Sequence, residues 1–411
     1  MIKKHVVLNW SLLASAACLL LIILSPIPVL AQGGLTILDS SVEAEFPSQL
    51  SFNLSAQSDV DITDIRLHYV VDQASFAQVT SEVYIEFVPS STVDAEWTWD
   101  MRKTGGLPPG ANVDYWWTVE DATGDKVATA LVRVEFDDVR YDWHSLTEGK
   151  VTLYWYEGEQ PFVQQLMTTA QQVLTRLAED TGAYLEKPVK IYIYANSRDL
   201  LGAMIFPQEW TGGVAYARHG IIAIGISPVN LNWGKRVIAH ELAHLVIHQM
   251  TFNPYGGLPT WLDEGLAMYA EGELGAQFTA YLDKAIAENS LLSVPSLSSP
   301  FSAYAGESYL AYAQSYSLVE FLITNYGQGK MLELLNTFRQ GSSYDAALEK
   351  VYGFDTDGLD TLWRDYATIP VLPAEEKGIH PALIGILAAL AASLVLWLGL
   401  FLENWAWKRG W

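Results

Sequence analysis

This 411-residue chain has one cysteine and about half as many basic as acidic residues. Its single cysteine, Cys18, lies inside an apolar N-terminal segment, so the rest of the chain cannot form a disulfide bond. Lys and Arg number 24 against 47 Asp and Glu, which gives a formal net charge of -23. Such an acidic surface repels phosphate groups, and we therefore exclude nucleic acid as a partner.

Each end of the chain contains a long apolar run without charged residues. Residues 1–31 have a basic start, an apolar run and small residues before Gln32, which is typical of a cleaved signal peptide, with a retained anchor as the alternative. Residues 381–402 contain no charged residue and are long enough to cross a membrane as one helix. Tryptophans and Lys408-Arg409 follow, so we expect residues 403–411 to be a cytoplasmic tail.

These two segments predict a single-pass protein of the cell membrane whose N-terminal domains face the outside, with residues 371–380 as a tether. Within the exterior part, residues 32–142 contain short runs of alternating apolar and polar residues separated by turn signals. The pattern predicts an all-β sandwich of the immunoglobulin or fibronectin type. Its strand tryptophans are expected to pack in the core rather than to form a ligand platform. Residues 143–370 mix strands and helices and predict an α+β domain.

The motif His240-Glu241-Leu-Ala-His244 lies in an apolar run of the α+β domain. On a helix, residues four positions apart lie nearly above one another, so the two histidines can hold one zinc ion. Glu241 lies on the flank of the same face, where a carboxylate can act as general base toward a water molecule. The motif alone is short, and buried histidines on apolar helices are often hydrogen-bonded core residues.

A second stretch, Trp261-Leu-Asp-Glu264-Gly, sets a carboxylate among large apolar residues of a helix that starts near Pro259. Buried carboxylates need partners, and one zinc ion per chain would supply that partner for Glu264. The pair of motifs resembles the gluzincin (thermolysin-like) metallopeptidases, and in particular the peptidase-MA-like group. The resemblance implies that His240, His244 and Glu264 bind zinc and that Glu241 activates water. The metzincin pattern is disfavoured because Ile247 and Met250 replace its glycine and histidine.

The resemblance also implies two features of the substrate site. A helix that begins at Tyr312 resembles the one whose tyrosine stabilises the oxyanion in related gluzincins, with Tyr316 as the competing residue. Residues 212–216 resemble the edge strand that pairs with substrate, although an ordinary hairpin is equally compatible with them. Aminopeptidase relatives carry a glutamate in this strand. Because residues 212–216 contain no acid, an endopeptidase or a different exopeptidase is favoured over a typical aminopeptidase.

Four further polar residues near the motifs need an interpretation. His248 is about 12 Å along the helix from His240, too far to share its ion, and is expected to be structural, as is His219. Glu271 is a possible but unneeded ligand, and Asp263 either orients a histidine or is solvated. The sequence thus predicts a zinc peptidase with a peptide or protein substrate and leaves the oligomeric state open. The alternative is a cell-surface binding protein whose metallopeptidase-like domain is inactive.

Overall fold

The computed structural model of the chain describes residues 34–77, 79–208, 211–302 and 305–368. The predicted signal peptide, the predicted tether at 371–380, the predicted transmembrane helix at 381–402 and the predicted tail at 403–411 lie outside these ranges. Within them, no helix is both long and apolar enough to cross a membrane. The chain divides into two units, Met1–Asp360 and Thr361–Trp411, and the elements below belong to the first, except that the last helix, Thr356–Thr368, contains residues of both.

The N-terminal region is all β, as predicted, and its seven strands belong to one hydrogen-bonded sheet. The strands are β1 (Thr36–Glu45), β2 (Gln49–Val71), β3 (Ser81–Tyr84), β4 (Ser90–Asp100), β5 (Ala111–Asp121), β6 (Lys126–Ala128) and β7 (Val132–Phe136). An immunoglobulin-type sandwich has two separate sheets. Here the first half of β2 pairs with β1 and β4, and its second half pairs with β3 and β5, so one strand joins both halves.

The length of β2 explains this difference from the predicted sandwich. The sequence pattern suggested two strands, because polar residues interrupt the apolar alternation near residue 58. In the structure the pairing register shifts between Gln57 and Ile62, and the strand continues through the irregularity. Such bulges bend a strand and let it serve two layers. The rings of Phe52 on β2 and Tyr115 on β5 meet at 5.0 Å between centroids, and both are buried in the core of the sheet.

The second sheet has five strands in the order β11-β12-β10-β9-β8. These are β8 (His144–Glu148), β9 (Val151–Trp155), β10 (Val189–Tyr194), β11 (Gly213–Tyr216) and β12 (Ile221–Gly225). The three central strands are parallel, and both edge strands run antiparallel to their neighbours. The strand β11 is therefore an edge strand, and it also forms a hairpin with β12, so both interpretations of residues 212–216 remain open.

Helices make up most of the remaining described chain, as expected for an α+β domain. They are α1 (Gln160–Thr181), α2 (Ser197–Leu201), α3 (Leu231–Thr251), α4 (Thr260–Glu271), α5 (Ala276–Ala287), α6 (Val294–Leu297), α7 (Ala305–Tyr326), α8 (Gln328–Arg339), α9 (Tyr344–Tyr352) and α10 (Thr356–Thr368). The two predicted motif helices are α3 and α4. The helix of Tyr312 begins at Ala305, so this tyrosine lies two turns inside α7 rather than at its start.

The two sheets share one hydrophobic core. Tyr192 and Tyr194 of β10 belong to the same buried cluster as the core of the N-terminal sheet. Trp143 lies between the sheets and contacts both tyrosine rings edge-on at 5.1 Å, while its indole N–H donates to the carbonyl of Asp138. A domain boundary at residue 142 stays a prediction, but side chains on either side of it pack into a common interior.

Candidate metal centre

The side chains of His240, His244 and Glu264 converge between α3 and α4. The two Nε2 atoms lie 3.2 Å apart, and Glu264 Oε2 lies 3.4 Å from the first and 3.5 Å from the second. Three ligands bound tetrahedrally to one ion at about 2.1 Å would lie about 3.4 Å from one another. The three predicted zinc ligands therefore already have the mutual spacing of a tetrahedral site.

The other nitrogen of each histidine is bound to a carboxylate. Nδ1 of His240 lies 2.9 Å from Glu271 Oε1, and Nδ1 of His244 lies 2.9 Å from Asp263 Oδ1. Because a carboxylate only accepts, each Nδ1 donates its hydrogen, which leaves Nε2 as the nitrogen that can bind a metal ion once it is deprotonated. Metal-binding histidines are usually oriented in this way by a second carboxylate.

The hydrogen bonding of Glu264 tests whether a metal ion fits here. Its Oε2 atom is buried and has no hydrogen-bond partner, although the side chain as a whole is 21% exposed. An unpaired buried carboxylate oxygen is costly, and a divalent cation between it and two imidazole lone pairs would remove that cost. Burial alone would raise the pKa of Glu264, but the two histidines outweigh it and lower that pKa to about 2. Two neutral imidazoles and one ionised carboxylate are a donor set that zinc accepts.

Glu241 lies beside the three ligands, between α3 and the edge strand β11. The backbone N–H of Ala215 faces its carboxylate and opposes, as a minor effect, the rise in the pKa of Glu241. A Cβ added to Gly213 would come within 2.9 Å of Glu241 Oε1 and of Val237 Cγ1, so only glycine lets the strand approach this closely. Burial is the main cause that raises the pKa of Glu241 above its ordinary value. A raised pKa suits a group that must take up a proton and then release it.

Tyr312 lies over the same centre, and Tyr316 does not. The ring of Tyr312 is 6.4 Å from that of His240, and burial together with the carboxylates of Glu264 and Glu241 raises its pKa well above the ordinary value. The hydroxyl of Tyr316 instead donates to Glu320 at 3.3 Å, and its ring contacts Tyr269. Of the two predicted tyrosines, the structure places Tyr312 beside the metal centre.

A close contact between α4 and α7 holds Tyr312 in this position. Gly265 follows the ligand Glu264, and a Cβ added to it would come within 2.4 Å of the backbone carbonyl oxygen of Ser315 and 2.7 Å of Val319 Cγ2. The glycine of the Trp-Leu-Asp-Glu-Gly motif therefore lets the helix of Tyr312 pack directly on the helix of Glu264.

The remaining candidates have structural positions. Glu271, considered above as a possible ligand, instead accepts from His240 Nδ1 and from Arg236 Nε at 2.8 Å. His248 donates to Asp263 through Nε2, and His219 lies in the turn between β11 and β12. The sequence did not predict the hydrogen bond from Arg236 to Glu271, because arginine is not a metal-ligand residue. The seven-residue spacing from Glu264 to Glu271 is the signal that places both carboxylates on one face of α4.

Comparison with known proteins defines the class of this site. Residues 169–369 match the family model of the Peptidase MA superfamily. This stretch contains the predicted ligands, the predicted base and Tyr312, so the chain carries a metallopeptidase-type domain. Over residues 169–369 the chain is therefore similar to the Peptidase MA superfamily, and the resemblance to the peptidase-MA-like gluzincins is confirmed. None of the curated proteins compared with the chain matches it.

Solved structures similar to the chain include an M1 zinc metallopeptidase from Deinococcus radiodurans. The match has 15% sequence identity and a TM-score of 0.35, and it covers 84% of this chain and 98% of that one. A form of that protein bound to a Tyr-Ser-Ala substrate matches with a TM-score of 0.36. OgpA from Akkermansia muciniphila matches with 9% identity and a TM-score of 0.21, covering 28% of this chain and 31% of that chain.

Proposed function

We propose that the protein is a zinc-dependent peptidase that hydrolyses peptide bonds, with one zinc ion per chain. The observation that carries this proposal is the spacing of His240 Nε2, His244 Nε2 and Glu264 Oε2, together with the missing partner of that buried oxygen. A carboxylate with a raised pKa, that of Glu241, lies beside them. These features belong to a hydrolytic metal site rather than to a purely structural one, since the residues that the structure describes supply only three ligands to it.

Each residue of the site has a separate role in peptide hydrolysis. Zinc, when held by His240, His244 and Glu264, supplies Lewis-acid chemistry at the scissile carbonyl. Glu241 takes a proton from the attacking water and returns it to the leaving amine. Burial favours its protonated form, which keeps proton uptake energetically accessible. Tyr312 stays protonated because its pKa is raised, so its hydroxyl can donate a hydrogen bond to the oxyanion.

The edge strand β11 favours an endopeptidase. An aminopeptidase must bind the free amine of its substrate, for which a carboxylate is the usual partner. The strand β11 is Gly213–Tyr216 and presents no acidic side chain. The carboxylates of Asp263 and Glu271 are occupied by histidines, and Glu264 is committed to the metal site. We therefore propose that the strand pairs with the backbone of a peptide or protein substrate that continues past the scissile bond.

The proposed location follows from the ends of the sequence. The uncharged residues 381–402 and the signal-like residues 1–31 support a single-pass protein of the cell membrane with the peptidase domain outside the cytoplasm. A protease-accessibility assay on intact cells tests this topology. Digestion of the peptidase domain only after cell lysis would contradict it.

Cleavage of a broad mixture of peptides tests the proposed activity. The zinc-loaded full-length chain should cut peptides at internal positions, and Glu241→Gln should reduce the rate about 10²- to 10⁴-fold while binding zinc equally. Glu273→Gln is the matched control, because it makes the same chemical change at an exposed position near the end of α4 without removing a ligand or the base. No cleavage by the wild-type chain with zinc bound would favour the inactive, binding-protein alternative.

A further inference from the structure

A cavity of about 880 Å³ lies beyond the last turns of α3. The turn after β11, residues 217–221, forms one wall, and the end of α3 with the loop that follows it forms another. Residues 72–76, which follow β2, contribute a third wall, where Phe76 stacks on Phe252 with ring centroids 4.0 Å apart. The three metal ligands and the base do not line this cavity.

Two elements of the metal centre continue directly into the cavity walls. Along β11, Gly213 faces Glu241, and Ala217, four residues later, lines the cavity. Along α3, the ring of His244 is 6.0 Å from that of His248, which also lines the cavity. At about 1.5 Å per helical residue, the seven positions from Glu241 to His248 span about 10 Å. That is the length of about three residues of an extended peptide.

The direction of the edge strand decides which part of a peptide would reach the cavity. The chain runs from Gly212 beside Trp233, past Glu241, to the cavity at Ala217. A peptide added to an edge strand pairs somewhat more stably when it runs antiparallel. An antiparallel peptide would place the residues on the N-terminal side of its scissile bond toward the cavity. Those on the C-terminal side would lie toward Trp233.

The cavity is cationic in a chain whose formal net charge is -23. Its two carboxylates already have partners, since Glu186 lies 2.7 Å from Arg339 and Asp72 lies 3.7 Å from Arg133. Lys187 and Arg218 line the same cavity, are exposed, and have no ion-pair partner among the residues that the structure describes. Beside them, the buried Nε2 of His219 has no hydrogen-bond partner. Lys187, Arg218 and His219, which lack these partners, could therefore bind an anionic side chain.

We propose that this cavity is a specificity subsite that binds an acidic side chain of the substrate, about three residues before the scissile bond. The inference rests on the proposed peptidase function and makes it more specific. Lys187 and Arg218 would bind the carboxylate, and the apolar rings of Phe76 and Phe252 would contact the neighbouring substrate residues. The open cavity also leaves room for the substrate to continue toward its N-terminus, as an endopeptidase requires.

Matched peptides test the subsite with the zinc-loaded full-length chain. Starting from a peptide that the chain cleaves, the third residue before the cut is made Glu, Gln or Lys, and a second series varies the third residue after the cut. We expect kcat/KM for the Glu peptide to exceed that for the Gln peptide about three- to tenfold, the range for one or two partly exposed ion pairs. The Lys peptide should be the poorest, and the second series should show no such order.

The double variant Lys187→Ala/Arg218→Ala should remove the preference for Glu, so that kcat/KM for the Glu peptide falls to about that for the Gln peptide. The control is Lys103→Ala/Lys284→Ala, which removes the same charge from two exposed positions outside the cavity. Equal rates for Glu and Gln, or a preference that survives the double variant, would overturn the proposal. A preference confined to the second series would overturn the antiparallel placement.

Failure of the subsite can be separated from failure of the peptidase function. If the wild-type chain cleaves peptides without regard to the acidic residue, only the subsite is wrong. If it cleaves nothing, the peptidase function is wrong, and fluorescence anisotropy with the zinc-loaded chain then decides the subsite from binding alone. Glu peptides should bind about three- to tenfold more tightly than Gln peptides, and equal affinity would overturn the subsite.

Discussion

Two clusters of two histidines and one carboxylate lie side by side between α3 and α4. The first is His240, His244 and Glu264, and the second is His244, His248 and Asp263, and in each the ligand-type atoms lie within 4.8 Å of one another. In both clusters the histidines are four residues apart on one helix. Residue type and spacing therefore do not distinguish a metal site from a hydrogen-bonded cluster.

Hydrogen bonding distinguishes them. In the second cluster, Asp263 accepts from His244 Nδ1 at 2.9 Å and from His248 Nε2 at 2.9 Å, so its members satisfy one another. In the first, the two Nε2 atoms face a buried oxygen of Glu264 that has no partner. The first cluster is therefore the candidate metal site, because its two Nε2 atoms converge on a buried carboxylate oxygen without a hydrogen-bond partner. The second cluster orients His244.

Removal of the first carboxylate should have the largest effect. Glu264→Ala leaves two histidine ligands, and we expect zinc content after dialysis to fall from one ion per chain to near zero, with loss of all zinc-dependent activity. In His248→Ala, which disrupts the second cluster only, zinc content should stay at one. Metal analysis of both proteins checks this, and equal zinc loss in the two would contradict the distinction between the clusters.

The supporting carboxylates should matter less than the ligands. Asp263→Asn and Glu271→Gln each weaken the partner of one histidine, and we expect zinc affinity to fall about 10- to 100-fold. Competition with a chelator of known affinity measures the change. Glu273→Gln, an exposed change near the end of α4, is the matched control and should leave affinity unaltered. An unchanged affinity in both support variants would mean that the carboxylates do not orient the ligands.

Packing of α4 on α7 should be sensitive to one methyl group. Gly265→Ala places a Cβ against the backbone of Ser315, and backbone cannot yield as a side-chain end can. We expect a loss of about 1–3 kcal/mol in the free energy of unfolding, measured by denaturant titration of the metal-free protein. Gly257→Ala, where an added Cβ meets no atom within 4 Å, is the control. Equal stability of the two variants would contradict the close helix contact.

The metal-free first cluster should make zinc binding depend on pH. Burial opposes protonation of His240, but Glu264 and Glu271 outweigh it and raise its pKa to about 9. The pKa is raised on folding, so the proton stabilises the metal-free fold below pH 6.5, and this contribution is lost as the pH rises through about 9. Zinc must displace that proton.

We therefore expect zinc affinity to rise about tenfold per pH unit between pH 6.5 and 9 for each proton displaced. The increase in Tm that zinc produces should grow over the same range, as differential scanning calorimetry would show. In Glu271→Gln one carboxylate that raises this pKa is gone, so the pH dependence should end at a lower pH. A pH-independent zinc effect in the wild type would contradict the protonated first cluster.

The sequence was informative where local periodicity decides position. A spacing of four residues on an apolar helix placed His240 above His244, and the apolar context of Glu264 indicated that it needed a partner. Tyr312 was located only through resemblance, and its position over the centre depends on the contact of Gly265 with α7, which joins segments 50 residues apart. Long-range packing of this kind leaves no local pattern.

The same limit applies to the N-terminal sheet and to the supporting residues. The polar interruption of β2 is indistinguishable in sequence from a turn, so one strand of 23 residues was interpreted as two. The shared core around Trp143 and Tyr192 depends on the approach of two sheets, which neither sheet's pattern encodes. Whether Glu271 binds a metal or a histidine depends on a rotation of its side chain toward His240 Nδ1, and sequence spacing does not determine that.

The most direct test of the metal centre is an anomalous difference map from crystals of the zinc-loaded protein, recorded at the zinc edge. It should show one peak per chain, within about 2.0–2.2 Å of His240 Nε2, His244 Nε2 and a carboxylate oxygen of Glu264. Asp263 and Glu271 should remain bound to the histidine Nδ1 atoms. A peak held by His248 and Asp263, or no peak at the convergence of the two Nε2 atoms, would contradict the assignment.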